Sequence, residues 1–176
     1  GMSSKLYDAA YAVVGRIRGG LASATVIGCG GFAALSGSSV ASALTMGKVS
    51  LAQMDRFNYD TRLSTGVVAA GGTLGILIPP STGFVIYAIL TEQNIAKLFA
   101  AAIVPGVIAM LGYIVVIGLY ARSRPDMAPL TPTLPWSEKA SALFKIWPIM
   151  GIFLAVFGGI YGGVFSPTEG AGVGAV

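Results

Sequence analysis

The fold is decided by a stretch near the middle of the chain, Gly71-Gly-Thr-Leu-Gly-Ile-Leu-Ile-Pro-Pro-Ser81. It lies within residues 63–91, a run of 29 residues without a charged side chain. A membrane-spanning helix needs about 20 apolar residues, so this run is long enough to cross a bilayer. Pro79 and Pro80, however, remove two backbone donors, and Pro80 moves Pro79 out of the helical region. The sequence therefore predicts a spanning helix that breaks at membrane depth.

The break has two interpretations. Irregular backbone at membrane depth is tolerated only where protein buries it or where it lines a water-filled cavity. Transporters use such breaks to present carbonyls and amides to an ion or to an anionic substrate. A proline kink that serves packing alone is the other interpretation, and the break by itself does not decide between them.

The composition is that of an integral membrane protein in contact with a lipid bilayer. The 176 residues are 55% hydrophobic and 10% charged, whereas soluble domains carry about 25% charged residues. The net charge of +4 does not indicate nucleic acid, because the basic residues lie at the ends of apolar runs and set topology. A single cysteine, Cys29, and the lack of histidine exclude an internal disulfide and histidine-based catalysis or metal binding within the chain.

A second uncharged run covers residues 19–47 and is also 29 residues long. Its middle, Ser36-Gly-Ser-Ser39, is small, polar and flexible. Arg18 precedes the run and Lys48 follows it, so both ends are expected on the cytoplasmic side. This pattern favours a re-entrant helical hairpin whose tip lies near the membrane centre. The alternative is one long tilted helix whose serines bond back to its own carbonyls.

The distribution of basic residues supports the hairpin. With a hairpin, ten of the eleven Lys and Arg residues are cytoplasmic and only Lys97 lies outside. A single crossing would place seven of those ten outside, against the usual excess of positive charge in cytoplasmic loops.

The other segments follow from apolar runs and prolines. Residues 48–62 are expected to form a solvated loop, and residues 92–101 a segment along the outer interface. Pro105 is expected at a bend or a helix start, and Gly158–Gly163 at a helix-contact face. The remaining assignments are an amphipathic helix at 1–18, either the end of a spanning helix or a surface helix, a spanning helix at 98–121, a proline-rich cytoplasmic linker at 123–136, a spanning helix at 146–165, and the start of another helix at 167–176.

No pattern in the sequence supports an enzyme. Gly28–Ala33 matches a G-x-G-x-x-A string but has no preceding strand, which excludes a dinucleotide site. Ser38 has no histidine or buried lysine to activate it. Asp60 lies among other charges in a loop, and Glu169 follows a proline in the pattern of a helix cap.

Several motifs occur in an order and spacing that resemble a known family. They are Gly19-Gly-Leu-Ala22, Ser36-Gly-Ser-Ser-Val-Ala41, Gly75-Ile-Leu-Ile-Pro-Pro-Ser81, Leu98-Phe99, Pro105-Gly106 and Ser166-Pro-Thr-Glu169. The chain resembles the large membrane (permease) subunit of tripartite ATP-independent periplasmic (TRAP) transporters, the DctM-like family. The resemblance covers essentially all 176 residues.

The resemblance implies an all-α integral membrane fold with two inverted repeats of elevator type. Residues 19–47 match the first re-entrant hairpin and residues 63–91 the first broken transmembrane helix. The whole chain, 1–176, is then one fragment of the large-subunit domain, holding the first repeat and the opening of the second. We expect such a fragment to show no transport by itself.

The resemblance also implies a function and partners. It implies sodium-coupled secondary import of organic acids, of the C4-dicarboxylate or sugar-acid class, across the bacterial inner membrane. The implied partners are a small DctQ-like membrane subunit and a periplasmic DctP-like solute-binding protein. A channel, an elevator exchanger that needs no binding protein, and a structural membrane subunit remain as alternatives.

The two breaks contain the candidate residues for sodium and substrate. A sodium ion prefers hard oxygen ligands, which freed carbonyls and hydroxyls supply, and an anion prefers helix N-termini. Which of these oxygens bind is not determined by the sequence. The candidates are Ser36, Gly37, Ser38, Ser39, Gly71, Thr73, Gly75, Pro79, Pro80 and Ser81.

Overall fold

The computed structural model describes residues 2–15, 17–131, 135–145 and 147–164. These residues contain α-helices and no strand, which confirms the all-helical class. The segment expected at 167–176 lies outside the described residues. The helices are α1 (Met2–Val14), α2 (Gly20–Ser36), α3 (Ser39–Arg56), α4 (Thr61–Leu77), α5 (Thr82–Leu90), α6 (Ile95–Ser123), α7 (Trp136–Phe144) and α8 (Trp147–Tyr161).

Helix α2 lies at the centre of the packing and contacts α1, α3, α4 and α6. Its residues are mostly small, which lets neighbouring helices approach closely. Leu21, Val26 and Cys29 of α2 are buried together with Met46 of α3 and Leu74 of α4. Helices α2 and α3 pack against each other and are joined only by Gly37 and Ser38.

Helix α3 corrects the expectation of a solvated loop from residue 48 to 62. The helix continues to Arg56, because Met46, Ser50 and Met54 recur every four residues and bury one face. The Ser50 hydroxyl donates to the Met46 carbonyl at 2.7 Å. The connection to α4 is therefore only residues 57–60.

The last two residues of the connection between α3 and α4, Tyr59 and Asp60, hold it in place by burial and by capping. The Asp60 carboxylate caps α4 by accepting a hydrogen bond from the Arg62 amide at 2.7 Å. The preceding residue, Tyr59, is buried, and this burial raises the pKa of its phenol to about 12. The phenol therefore stays neutral in the physiological range.

Within the part of the chain that the structure describes, two segments are long and apolar enough to cross a membrane, Thr61–Leu90 and Ile95–Ser123. The first is interrupted, since α4 ends at Leu77 and α5 begins at Thr82. The second, α6, is continuous and contains Pro105 in its interior. Residues 95–97, expected in an interfacial segment, belong to α6, whose first turn is capped by the Asn94 side chain.

Helix α8 forms an aromatic row and is linked to the start of α6. The ring centroids of Phe153 and Phe157 are 4.4 Å apart, and those of Phe157 and Tyr161 are 6.1 Å apart. The Tyr161 hydroxyl donates to the Ala96 carbonyl at 3.1 Å. The expected glycine contact face is only partly helical, because α8 ends at Tyr161 and Gly163 has a φ of 72°.

Candidate functional site

The turn between α2 and α3 brings a helix C-terminus and a helix N-terminus together. Gly37 ends α2 with φ 59° and ψ 15°, in the left-handed region that favours glycine. Its amide donates to the Ala33 carbonyl at 2.9 Å. Ser38 is extended, and its hydroxyl caps α3 by accepting from the Ala41 amide at 3.3 Å. The tip is therefore held by its own backbone and hydroxyl groups.

Small hydroxyl groups cluster on the inner side of this turn. The hydroxyl oxygens of Ser36 and Ser42 are 3.1 Å apart, and Ser42 is fully buried. The amide of Ser42 donates to the Ser38 carbonyl at 3.0 Å. The turn thus concentrates several oxygen atoms in a few residues.

The break between α4 and α5 is an extended segment, residues 78–81. Ile78 and Ser81 both have extended backbone angles, and the peptide bond between Pro79 and Pro80 is cis. The Ser81 hydroxyl is buried and donates to the Ile76 carbonyl at 2.9 Å. This bond satisfies one of the carbonyls that the end of α4 leaves without an intrahelical partner.

A direct bond joins the two breaks. The Thr82 hydroxyl donates to the Gly37 carbonyl at 3.0 Å, and the Thr82 amide points to the same oxygen at 3.4 Å. Thr82 is 45 residues away in sequence from Gly37. Thr82, the first residue of α5, therefore forms a hydrogen bond with Gly37, the C-cap residue of α2.

Glycine at two positions allows this close approach. A Cβ atom on Gly75 would lie 2.6 Å from the Ser38 carbonyl carbon and oxygen, and a Cβ atom on Gly37 would lie 2.5 Å from the Pro80 carbonyl oxygen. Both distances are below 3.0 Å, and real Cβ atoms essentially never come that close to other atoms. The α2–α3 turn, Gly37 and Ser38, therefore packs in direct contact with α4 at Gly75 and with the proline segment at Pro80.

The structure does not bring every sequence candidate to this contact. Thr73 is exposed on α4 and points towards α6, where its hydroxyl lies 3.0 Å from the Tyr113 hydroxyl. Gly71 faces Cys29 of α2 rather than the tip. The candidates gathered around the two breaks are Ser36, Gly37, Ser38, Ser39, Gly75, Pro79, Pro80 and Ser81.

Two residues at the contact lie outside the sequence candidates, Thr82 and Ser42. Thr82 directly follows the proline segment and is the first residue of a new helix. A hydroxyl residue in this position could have been chosen as a candidate from the sequence. Ser42 lies six residues after Ser36 and is brought back by the hairpin, so only the tertiary fold reveals it.

The contact is electrically neutral, because residues 19–47 and 63–91 contain no charged side chain. Over the described residues, no group of three or more His, Cys, Asp or Glu is arranged to hold a metal ion. An ion bound here would interact with hydroxyls, carbonyls and helix ends. The C-terminal ends of α2 and α4 carry partial negative charge and the N-terminal ends of α3 and α5 partial positive charge.

Comparison with known proteins identifies relatives along the whole chain. The family model of the tripartite ATP-independent periplasmic transporter, DctM component, matches residues 1–176. The C4-dicarboxylate TRAP transporter large permease protein DctM of Pseudomonas aeruginosa is 45% identical over 177 residues, covering 100% of this chain and 41% of the relative. Its counterpart in Vibrio cholerae is 40% identical, with 100% and 38% covered.

A third relative is named for a different substrate, ectoine. The ectoine TRAP transporter large permease protein TeaC of Halomonas elongata is 35% identical over 170 residues, covering 96% of this chain and 39% of the relative. The chain therefore spans about two fifths of the length of these relatives.

The close approach at Gly75 predicts a large effect from one methyl group. We expect Gly75→Ala, made in the full-length protein, to destabilise the fold by about 1–3 kcal/mol, because the added Cβ overlaps backbone of the hairpin tip. The matched control is Gly66→Ala on the same helix, where a Cβ meets nothing within 4 Å. Because alanine is the better helix former, the control is expected to be neutral or stabilising by up to about 1 kcal/mol.

Unfolding of the purified variants in detergent by increasing denaturant measures both changes. If Gly75→Ala unfolds at the same midpoint as Gly66→Ala, then the hairpin tip does not rest on α4 in the protein.

Proposed function

The chain belongs to the DctM family of tripartite ATP-independent periplasmic transporters, and we propose that it works within the large permease of a sodium-coupled importer of small organic acids. Members of this family are membrane-integral transporters and not enzymes. The observation that carries the proposal is the contact of two uncharged helix breaks through Thr82 and Gly37. A neutral, oxygen-rich contact between breaks is suited to binding an ion together with an anion.

We propose that α2 and α3 form a re-entrant hairpin that enters from the cytoplasm. Its support comes from the turn at Gly37, from Arg18 just before α2 and from Lys48 within α3, and both basic side chains are exposed. Lys48 lies nine residues, about 14 Å, along α3 from Ser39, which is close to half of a 30 Å hydrocarbon core. Helix α3 can therefore place its first residue near the midplane of the membrane and Lys48 at the cytoplasmic interface.

The helix ends suggest which part of the contact binds which ligand. In the proposed mechanism, carbonyls at the C-terminal ends of α2 and α4, with nearby hydroxyls, coordinate sodium. The N-terminal ends of α3 and α5, which start at Ser39 and Thr82, attract the carboxylate of the substrate. Sodium orders the two breaks and so completes the anion site, and the hairpin with the broken helix then moves as an elevator against the remaining helices.

The substrate class and partners are part of the same proposal. Two relatives are named for C4-dicarboxylates and one for ectoine, so small organic acids, including C4-dicarboxylates and sugar acids, are the proposed cargo. The proposed partners are a DctQ-like small membrane subunit and a DctP-like periplasmic binding protein at the inner membrane. An uptake assay with and without the periplasmic protein separates this function from that of a channel or an independent exchanger.

The re-entrant hairpin predicts that Arg18, before α2, and Lys48, on α3, are accessible from the same side of the membrane. Arg18→Cys and Lys48→Cys, each placed in a Cys29→Ser background of the full-length permease, are expected to react with a membrane-impermeant thiol reagent only from the cytoplasmic side. Inside-out and right-side-out vesicles provide the two sides. Labelling of the two positions from opposite sides would show that the segment crosses the membrane once.

The proposed sodium site predicts that Pro80→Ala weakens the sodium dependence of uptake more than Ser38→Ala does. We expect Pro80→Ala to raise the sodium concentration for half-maximal uptake about tenfold, equivalent to about 1.4 kcal/mol, because the helix can then continue and withdraw its carbonyls. Ser38→Ala removes at most one ligand and the cap of α3, and is expected to raise this concentration about threefold. Uptake by the full-length transporter is measured against sodium concentration, with membrane insertion verified.

The matched control is Thr91→Val, which removes a hydroxyl from the far end of α5. That hydroxyl bonds only within its own helix, to the Tyr87 carbonyl at 2.7 Å. Its sodium curve is expected to match that of the parent. If Pro80→Ala and Ser38→Ala also keep the parent curve, the two breaks serve packing and bind no sodium.

A further inference from the structure

A groove of about 270 Å³ runs between α4 and α6, away from the contact of the two breaks. Its floor is Val26 of α2, and Arg62 lies at one end. Gly66 contributes open space, because a Cβ there would meet nothing within 4 Å. The rest of the lining, from Leu63 to Ala70 on α4 and from Tyr113 to Tyr120 on α6, consists of aliphatic side chains and two tyrosines.

The interior of the groove offers almost no polar contact to an occupant. The Tyr113 hydroxyl is already engaged with the Thr73 hydroxyl at 3.0 Å. The Tyr120 hydroxyl donates to the Met127 sulfur at 3.2 Å, near the Arg62 end. The rest of the lining is aliphatic apart from Arg62. The groove therefore suits a hydrocarbon occupant that carries its polar part at one end only.

The end marked by Arg62 is basic. The start of α4 and the segment after α6 meet here, since the Asp60 amide donates to the Met127 carbonyl at 3.0 Å. Arg62, Arg122 and Arg124 thus lie at the same end of the two helices and outnumber the nearby acids, Asp60 and Asp126. Basic residues next to spanning helices attract anionic lipid headgroups of the cytoplasmic leaflet.

The length of the groove suits a hydrocarbon chain that runs along α4 within one leaflet. From Arg62 to Ala70 the groove follows α4 for eight residues, or about 12 Å, which is close to one leaflet of a 30 Å core.

We propose that the groove between α4 and α6 binds one acyl chain of an anionic phospholipid, whose headgroup phosphate lies at Arg62. The lipid belongs to the cytoplasmic leaflet, because the basic ends of α4 and α6 define that side. This site is separate from the Thr82–Gly37 contact and does not depend on sodium or substrate binding.

The test compares two glycine-to-leucine changes in the full-length permease. Gly66→Leu fills the groove, whereas Gly112→Leu makes the same change on α6 outside the lining, and neither added Cβ meets an atom within 4 Å. Delipidated permease is titrated with phosphatidylglycerol and, separately, phosphatidylcholine, and bound lipid is counted by native mass spectrometry. We expect Gly66→Leu to weaken binding of one phosphatidylglycerol at least tenfold and Gly112→Leu to bind like the parent.

Arg62→Gln tests the headgroup contact, with Lys48→Gln as a control on an exposed lysine outside the groove. We expect Arg62→Gln alone to lower binding of phosphatidylglycerol several-fold while leaving phosphatidylcholine unchanged. Equal retention of phosphatidylglycerol by the parent and Gly66→Leu overturns the proposal. Loss of folded permease in Gly66→Leu but not in Gly112→Leu also overturns it, because a protein segment then covers the groove.

Discussion

The structure depends on one constraint, the need to satisfy polar backbone groups that lie away from water. A helix that breaks at membrane depth frees amides and carbonyls, each costing several kcal/mol if left unpaired. The described residues contain two helix breaks that pack against each other, and each is satisfied in part by its own groups. Ser81 donates to Ile76 within one break, and Ser38 caps α3 within the other. Thr82 donates to Gly37 and joins the two. The breaks are therefore stable as a pair.

Close packing makes this pairing possible, and it requires small residues at fixed places. Hydrogen bonds of about 3 Å between two breaks demand that the helices nearly touch, which the missing Cβ atoms of Gly75 and Gly37 permit. The same requirement explains the central position of α2, whose small residues are surrounded by four other helices. In lipid, where apolar burial between helices drives little association, such contacts carry much of the stability.

The sequence predicts the elements of this site better than their orientation. The all-helical class follows from the long uncharged runs. The positions of the breaks follow from glycine and proline, because both act on the local backbone. By contrast, the direction of Thr73 towards Tyr113 depends on where α6 packs, and the extension of α3 to Arg56 depends on a buried face shared with other helices. Thr82 likewise can donate its hydrogen bond only because the tertiary fold brings Gly37, 45 positions away in sequence, next to it.

Neutrality of the site gives a physical reason why an ion and an anion would bind together. The two helix C-termini and two helix N-termini that meet here contribute roughly half a charge each, and these partial charges cancel. A cation bound alone at the C-terminal ends would leave an excess positive charge at the contact, and an anion alone would leave the opposite excess. In the proposed mechanism, each ligand would lower the electrostatic cost of binding the other, and thermodynamic linkage would make that benefit reciprocal. In the proposed transporter, coupling between sodium and an organic acid requires no charged side chain, only two helix breaks held against each other.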